Sequence, residues 1–221
     1  LILTLAGTRG ILRNLKFPKK RTRVLNAGVN EELIKSAPTN NETFSCFYLG
    51  TIVYTKGAFD LLDVWAEVVK NRKNYQLAVI GGGVQEIISK FKEKISTLNL
   101  SDNIKYFGRI EKDEDVYSII KSSKVCIIPG HENGWSLPAT EAMTAGVPIV
   151  GYALDMFGEA FKKGFAVSPL YDQKALAEKI CEVIENKEIW ETLHQEALDE
   201  SSKFSWKNIA EDFEQFLDKL N

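Results

Sequence analysis

Short apolar runs alternate with amphipathic stretches from residue 44 onward. The runs are apolar at nearly every position, as in strands of a parallel sheet that is covered on both faces. We predict six strands, at 44–50, 75–81, 104–108, 124–128, 148–152 and 165–167. Between them, apolar residues recur at helical spacing, for example Phe59, Leu62, Ala66 and Val69. Repeated strand–helix–strand units of this kind predict an α/β fold with a doubly wound, Rossmann-like parallel sheet.

Three helices are predicted after residue 172, where the strand pattern stops. The last spans 206–220 and carries a wide apolar stripe that includes Trp206, Phe213 and Phe216, so we expect it to pack on a substantial surface. The chain has 221 residues, of which 44% are hydrophobic and 26% charged, as expected of one globular domain with appendages. No apolar run approaches the roughly 20 residues that span a bilayer.

Charge is distributed unevenly along the chain. Residues 1–30 contain seven basic side chains, all within 9–23, and no acidic one. Because the total charge is −2, the remainder of the chain carries −9. A basic segment of this kind fits contact with anionic lipid or nucleic acid, and it fits a solvated linker equally well.

Cysteine and histidine usage argues against a metal site. Cys46, Cys126 and Cys181 have neither paired nor metal-like spacing, and the first two lie in strand runs, where buried inert thiols are expected. With only two histidines in the chain, a histidine-based metal site is not expected. We therefore predict no metal and no cofactor, and free thiols fit the reducing cytoplasm best.

Candidate binding residues lie at the strand-to-helix junctions, because such sheets bind ligands beyond the carboxyl ends of their strands, near helix N-termini. At the first junction, Gly50 ends a strand and Lys56 precedes a helix. At the second, three glycines (81–83) allow close approach to a ligand or merely a tight turn, and the missing dinucleotide fingerprint disfavours a nicotinamide oxidoreductase. At the third, Gly108 and Arg109 form either an ordinary turn or a base-binding loop.

The fourth junction, at 127–150, has the most features. Ser136 is a candidate N-cap, Pro138 suits a first turn, and Gly146 closes the helix. The N–H groups around 134–137 would then point at the ligand crevice. Glu141 lies about one turn inside the helix, where its carboxylate either binds a sugar diol or simply complements the helix dipole.

Taken together, the four junctions resemble the carboxyl-terminal, donor-binding domain of glycosyltransferase family 4, whose GT-B architecture has two facing Rossmann-like domains. The matching segments are GTIVYTKG (50–57), VIGGGV (79–84), IKYFGRI (104–110), GWSLPATEAMTAGVPIV (134–150) and FSW (204–206). The resemblance covers roughly residues 44–217. The ordered set is specific, whereas one of these motifs alone would only be suggestive.

The resemblance implies a role for each matching residue. Lys56 would bind the donor diphosphate, Glu141 the ribose hydroxyls, and Arg109 and Ile110 would lie near the base. Backbone N–H groups at 134–136 would face the diphosphate and the transferred sugar. The predicted donor-binding residues are Gly50, Thr51, Lys56, Gly82, Arg109, Ile110, Gly134, Trp135, Ser136, Leu137 and Glu141.

Two positions depart from the family's pattern. Thr51 stands where the family has an Arg beside Lys56, so half of the usual positive clamp is missing. The family also pairs two glutamates separated by seven residues, and counting back from Glu141 gives Asn133, with Glu132 one residue earlier. Either Glu132 takes the role of the first glutamate of the pair, or Asn133 binds the sugar hydroxyls through its side-chain amide. The candidate catalytic residues are therefore Lys56, Glu132 and Asn133.

We predict three regions: a basic linker at 1–43 with at most the final strand and helix of an acceptor-binding domain, a nucleotide-sugar-binding domain at 44–203, and a helix at 204–221 that packs back toward the acceptor domain. The resemblance implies sugar transfer from a nucleoside-diphosphate sugar to a glycan or lipid-linked acceptor, with retention of configuration. It also implies a cytoplasmic protein with residues 9–23 at an anionic membrane surface and no nucleic-acid partner. This fragment alone is expected to be inactive. A non-catalytic nucleotide-sugar-binding module and a sugar-nucleotide epimerase remain alternatives.

Overall fold

A computed structural model describes residues 2–4, 22–24, 27–131 and 135–219 of the chain. Near the amino end, β1 (Ile2–Thr4) and β2 (Thr22–Val24) pair in parallel as a separate two-stranded sheet. The sequence analysis did not locate these strands, because three-residue strands are too short to show a hydrophobic period; the assignment of 1–43 to a linker and the end of an acceptor-binding domain stays a prediction. The basic side chains of the 9–23 segment lie outside the described residues.

A six-stranded parallel sheet forms the body of the chain, in the order β5-β4-β3-β6-β7-β8. Its strands are β3 (Phe44–Leu49), β4 (Leu77–Ile80), β5 (Ile104–Gly108), β6 (Ser123–Ile128), β7 (Ile149–Tyr152) and β8 (Phe165–Ser168). All six predicted strands are confirmed, and their ends shift by no more than two residues. The strand order starts in the middle, at β3, and runs outward in both directions, which confirms the doubly wound, Rossmann-like fold.

Helices follow the strands in regular alternation. They are α1 (Glu31–Ser36), α2 (Ala58–Val69), α3 (Gln85–Thr97), α4 (Asp113–Lys121), α5 (Leu137–Thr144), α6 (Met156–Glu159), α7 (Gln173–Glu185), α8 (Lys187–Ser201) and α9 (Trp206–Asp218). Single 3₁₀ turns precede α2 at Tyr54–Lys56 and α9 at Ser202–Phe204. Of these helices, α6 is one kinked turn with two non-helical residues.

The core has two layers because the strands alternate their side chains between the two faces of the sheet. Cys46 and Tyr48 belong to the layer that holds α2 and α7, whereas Phe47 belongs to the layer that holds α4 and α5. All three cysteines are buried and free. Burial on both faces explains why each strand is apolar along its whole length.

The predicted last helix is present as α9, whose packing toward an acceptor-binding domain stays a prediction. None of the residues of α9 is buried, and the Trp206 side chain is 58% exposed. The chain just before α9 touches the start of the body, where the amide of Val29 donates to the carbonyl of Phe204 at 3.0 Å. The described residues thus cover the apolar stripe of α9 only in part: Ile209, Phe213 and Phe216 are half-buried, and the Trp206 ring lies against Gly28. Among those residues, no helix combines the length and apolar character that crossing a bilayer requires.

Candidate functional site

Two of the predicted ligand-binding junctions, those after β3 and β6, lie side by side where the sheet reverses its order. β3 and β6 are neighbours, and from them the sheet grows toward β4 on one side and toward β7 on the other. The loops that leave the carboxyl ends of β3 and β6 touch each other at this point. Sheets of this kind bind their ligands in a crevice at this topological switch point.

The loop after β3 brings Lys56 to this crevice. A 3₁₀ turn ends at Lys56, and Gly57 then adopts φ +70° before α2 begins. A Cβ at Gly57 would overlap the carbonyl oxygen of Pro129 and lie 2.9 Å from the amide nitrogen of Gly130. Backbone contact with the loop after β6 therefore requires glycine here. Lys56 itself is exposed on the surface beside this contact.

The three glycines after β4 are explained in part by packing. A Cβ on Gly81 would overlap the carbonyl oxygen of Gly50, and one on Gly83 would lie 2.9 Å from the carbonyl oxygen of Ile52. A Cβ on Gly82, in contrast, would meet only the Arg109 side chain, at an ordinary 3.4 Å. Two of the glycines thus serve the tight fit between neighbouring loops, and Gly82 is left facing an open space.

That open space is a cavity of about 720 Å³ at the carboxyl ends of β3, β4 and β5. Predicted donor-binding residues that line it are Gly50, Thr51, Gly82 and Arg109. Lys92 and Tyr106 also line the cavity, with the Lys92 ammonium 5.4 Å from the centre of the Tyr106 ring, and the sequence analysis missed both.

Two predicted residues of this region have protein partners. Arg109 is exposed and forms an ion pair with Glu111 at 3.0 Å. Ile110 is partly buried and packs against the core layer of α4 and α5. Arg109 thus lines the cavity together with residues at the ends of β3 and β4. The side chain of Ile110 packs in the core instead.

The start of α5 is organised as predicted. The Ser136 hydroxyl accepts a hydrogen bond from the amide of Ala139 at 3.2 Å, so Ser136 is the N-cap, and the exposed Leu137 opens the helix. Trp135 directly precedes the cap, and its ring stacks on Phe161 with centroids 5.0 Å apart and meets Phe204 edge-on at 5.4 Å. The Trp135 side chain thus packs against the core layer of α4 and α5.

Glu141 lies one turn inside α5, on the side that faces α4. The Tyr117 hydroxyl donates to its Oε1 atom at 3.4 Å. The pKa of Glu141 is raised to about 7, mainly by burial; the Tyr117 hydrogen bond opposes this rise, and the charge of Asp113 adds a smaller contribution to it. A carboxyl group that burial keeps partly protonated near neutral pH has the character of a functional group. The sequence analysis missed Tyr117 and Asp113.

A second missed pair lies between the loops of β3 and β6. The His131 ring nitrogen Nε2 is 2.8 Å from the Asp60 carboxylate, and the His131 amide donates to the Thr55 carbonyl at 3.2 Å. Both side chains are about four-fifths buried, with 23% and 22% of their surface exposed. The histidine belongs to the fourth junction, but no spacing rule connects it to a helix that begins 73 residues earlier.

The remaining predicted residues, Glu132, Asn133 and Gly134, lie outside the described residues. Their roles, like those of the other site residues, stay predictions. In the part of the chain that the structure describes, no group of three or more His, Cys, Asp or Glu side chains is arranged to hold a metal ion.

Comparison with known sequences identifies the family. The sequence model of glycosyl transferases group 1 matches residues 29–200. An uncharacterised glycosyltransferase of Methanocaldococcus jannaschii is 28% identical over 194 residues, which cover 87% of this chain and 52% of that protein. The phosphatidyl-myo-inositol mannosyltransferase of Mycobacterium leprae is 25% identical over 195 residues, which cover 83% of this chain and 50% of that protein. The chain thus spans about half the length of these curated relatives.

Solved structures agree on the fold. Sucrose-phosphate synthase of Thermosynechococcus elongatus matches with a TM-score of 0.82 and 20% identity over 99% of this chain and 57% of its own. HepE of Anabaena, solved in complex with UDP, matches with a TM-score of 0.84 and 16% identity. The match covers 99% of this chain and 63% of the HepE chain. These likenesses confirm the Rossmann-like half of a GT-B architecture. With the family's sequence model matching most of its length, this chain belongs to the group 1 glycosyl transferases.

Proposed function

We propose that this chain is the donor-binding half of an enzyme that transfers a hexosyl group from a nucleoside-diphosphate sugar to a glycan or lipid-linked acceptor. The observation that carries the proposal is the capped N-terminus of α5, which follows β6 at the switch point of the sheet, with the Glu141 carboxyl group one turn inside that helix and Lys56 on the adjoining loop after β3. HepE, which shares the fold, has been solved with UDP and with UDP-glucose. A nucleotide sugar is therefore the ligand class that we assign to the crevice.

Each part of the donor has a matching feature. Glu141 accepts hydrogen bonds from the ribose hydroxyls, and the base enters the cavity beside Gly82 and Arg109. The diphosphate lies between Lys56 and the first N–H groups of α5, because helix N-termini favour anions. Thr51 supplies no charge where the family has Arg, and Lys92 offers a nearby cation at the same cavity.

Catalysis on this proposal consists mainly of stabilising the leaving group. As the bond between the sugar and the diphosphate breaks, negative charge grows on the diphosphate oxygens. On this proposal, Lys56 and the N–H dipoles of α5 stabilise that charge, which lowers the barrier without a protein nucleophile. We propose that transfer retains the configuration of the sugar and needs no divalent metal, with Glu132 or Asn133 binding the sugar hydroxyls.

A nucleotide screen tests the function. We would measure the thermal midpoint of the protein with UDP, GDP and ADP and with their sugars, each with and without EDTA. A ligand present at 100 times its Kd should stabilise the fold by ~2.7 kcal/mol. We expect one nucleoside diphosphate and its sugar to raise the midpoint, and EDTA to leave the shift unchanged. A protein that binds none of them is not a donor domain, and strict dependence on a divalent ion contradicts the metal-free mechanism.

Lys56→Ala is expected to weaken binding of the nucleoside diphosphate roughly tenfold or more and to leave nucleoside binding nearly unchanged. A charge-assisted hydrogen bond between Lys56 and a phosphate is worth ~1.5–3 kcal/mol. A nucleoside has no phosphate and cannot form this hydrogen bond, so its affinity should not depend on Lys56. Isothermal titration with the matched pair of ligands measures the difference. Lys70→Ala is the control, because Lys70 lies at the other end of α2 in an ion pair with Glu67. Equal diphosphate affinity in Lys56→Ala and the parent would remove Lys56 from the site.

A further inference from the structure

Two loops of the donor crevice are joined by side chains to which the proposed function assigns no role. The loop after β3 and the loop after β6 touch at three points. Gly57 lies against the carbonyl of Pro129, the amide of His131 donates to the carbonyl of Thr55, and the His131 ring is held 2.8 Å from the carboxylate of Asp60. All three contacts lie within a few residues of Lys56.

The contacts connect the two anion-binding elements of the crevice. Lys56 stands between Thr55 and Gly57, so both of its neighbours in sequence touch the loop after β6. His131 stands five residues before Ser136, the N-cap of α5. A displacement of His131 relative to Asp60 would therefore change the distance between the Lys56 ammonium and the N–H groups of α5. One diphosphate can reach both only if that distance is right.

Contacts with neighbouring groups fix the positions of Asp60 and His131. Asp60 lies in the first turn of α2, where a carboxylate interacts favourably with the positive end of the helix, and α2 has no side-chain N-cap. The His131 ring packs edge-on against Tyr171, with centroids 4.8 Å apart, and lies 6.3 Å from the ring of Tyr152. Both side chains are about four-fifths buried, so solvent and salt screen their electrostatic attraction less than they screen that of a surface ion pair.

We propose that His131 is a positioning residue, which Asp60 holds so that Lys56 and the N-terminus of α5 bind the same diphosphate. It acts through the spacing of the two loops and does not itself contact the reacting atoms. The inference rests on the proposed function, because it concerns how the same crevice binds its donor. It adds a pair of residues, drawn from the two loops at the switch point, on which the affinity for the diphosphate depends.

A double-mutant cycle tests the pair. His131→Ala, Asp60→Ala and the double variant are titrated with UDP, GDP or ADP, whichever the parent binds in the screen, and with the matching nucleoside. We expect each single variant to bind the diphosphate roughly fivefold more weakly, which corresponds to ~1 kcal/mol, and the double variant to be no weaker than the weaker single one. Nucleoside affinity should change less than about twofold, because the nucleoside does not need both loops.

The other histidine of the chain is the matched control. His194 lies on α8, where its Nδ1 atom contacts the carbonyl of Gly146 and its ring stacks on Trp190. We expect His194→Ala to leave the affinity for the diphosphate unchanged. Where an alanine variant folds poorly, Asp60→Asn keeps the shape of the side chain and removes its charge, and it should give a smaller loss in the same direction.

The outcomes separate the two proposals. A parent protein that binds no nucleoside diphosphate overturns the proposed function. A parent that binds one tightly, with His131→Ala and Asp60→Ala equally tight, overturns the positioning role alone. Equal losses for nucleoside and diphosphate, or strictly additive losses in the double variant, also overturn it, because they indicate general destabilisation or two independent contacts.

Discussion

Gly57→Ala is expected to destabilise the protein by several kcal/mol, far more than an alanine at a glycine of the same backbone conformation. Two costs add at this position. The left-handed conformation at φ +70° costs an alanine roughly 1–2 kcal/mol. The new Cβ would also overlap the carbonyl of Pro129, and overpacking of this kind typically costs a further ~1–3 kcal/mol. Urea unfolding of the variant and the parent measures the sum.

Gly108→Ala is the matched control for this substitution. Gly108 has φ +69°, but a Cβ built there meets nothing within 4 Å. Its substitution should therefore show the conformational cost alone, and the difference between the two variants isolates the contact between the loops after β3 and β6. If the two variants lose equal stability, these loops are not pressed together, and the positioning role of His131 loses its structural basis as well.

The predictable parts of the site are those encoded locally. Ser136 could be identified as an N-cap because a cap binds an amide only three residues ahead. The six strands could be identified because burial on both faces leaves continuous apolar runs. The glycines after β4 were harder, since the same residues allow either a ligand or a neighbouring loop to approach. Only the structure shows that Gly81 fits against the carbonyl of Gly50.

Contacts between distant segments were not predictable from spacing. Glu141 and Tyr117 are 24 positions apart, and His131 and Asp60 are 71 apart, on elements that the fold alone brings together. The sequence shows Tyr117 as one more residue of a short amphipathic helix. Its hydroxyl gains a role only because α4 and α5 pack side by side in one core layer. The environment that shifts the pKa of Glu141 is likewise a product of packing.

Glu141→Gln is expected to make the protein more stable above pH 7 while it impairs ligand discrimination. The folded protein holds the Glu141 proton with a pKa of about 7, above the ordinary value of 4.5, because burial disfavours the carboxylate. Protonation is therefore stabilising relative to the unfolded chain. This contribution is fully present below about pH 4.5 and is lost as the pH rises toward 7. Glutamine is neutral at every pH and avoids the loss.

The pH dependence gives the substitution a distinctive signature. Because the pKa of Glu141 lies at about 7 and not at 4.5, we expect Glu141→Gln to exceed the parent in stability at pH 8 by on the order of 1–3 kcal/mol, and the difference to shrink toward pH 5. Urea unfolding at both pH values measures it. Tyr117→Phe removes the hydrogen bond that lowers the pKa of Glu141, so it should raise that pKa further. A parent that is the more stable protein at pH 8 would mean that the carboxylate is well solvated.

The same substitution should cost the protein its preference for ribonucleotides. A carboxylate accepts hydrogen bonds from both hydroxyls of a ribose, whereas an amide offers one acceptor oxygen and a donor group in its place. Each hydrogen bond to a charged group is worth ~1.5–3 kcal/mol, so the ratio of affinities for ribonucleotide and 2′-deoxyribonucleotide should fall roughly tenfold in Glu141→Gln. A group that is costly to bury and yet required for ligand binding is expected at a functional site, where stability is given up for activity. If the variant gains stability at pH 8 but keeps its discrimination, Glu141 is a buried carboxyl group without a role in the ribose site. The diphosphate would then be recognised by Lys56 and the start of α5 alone.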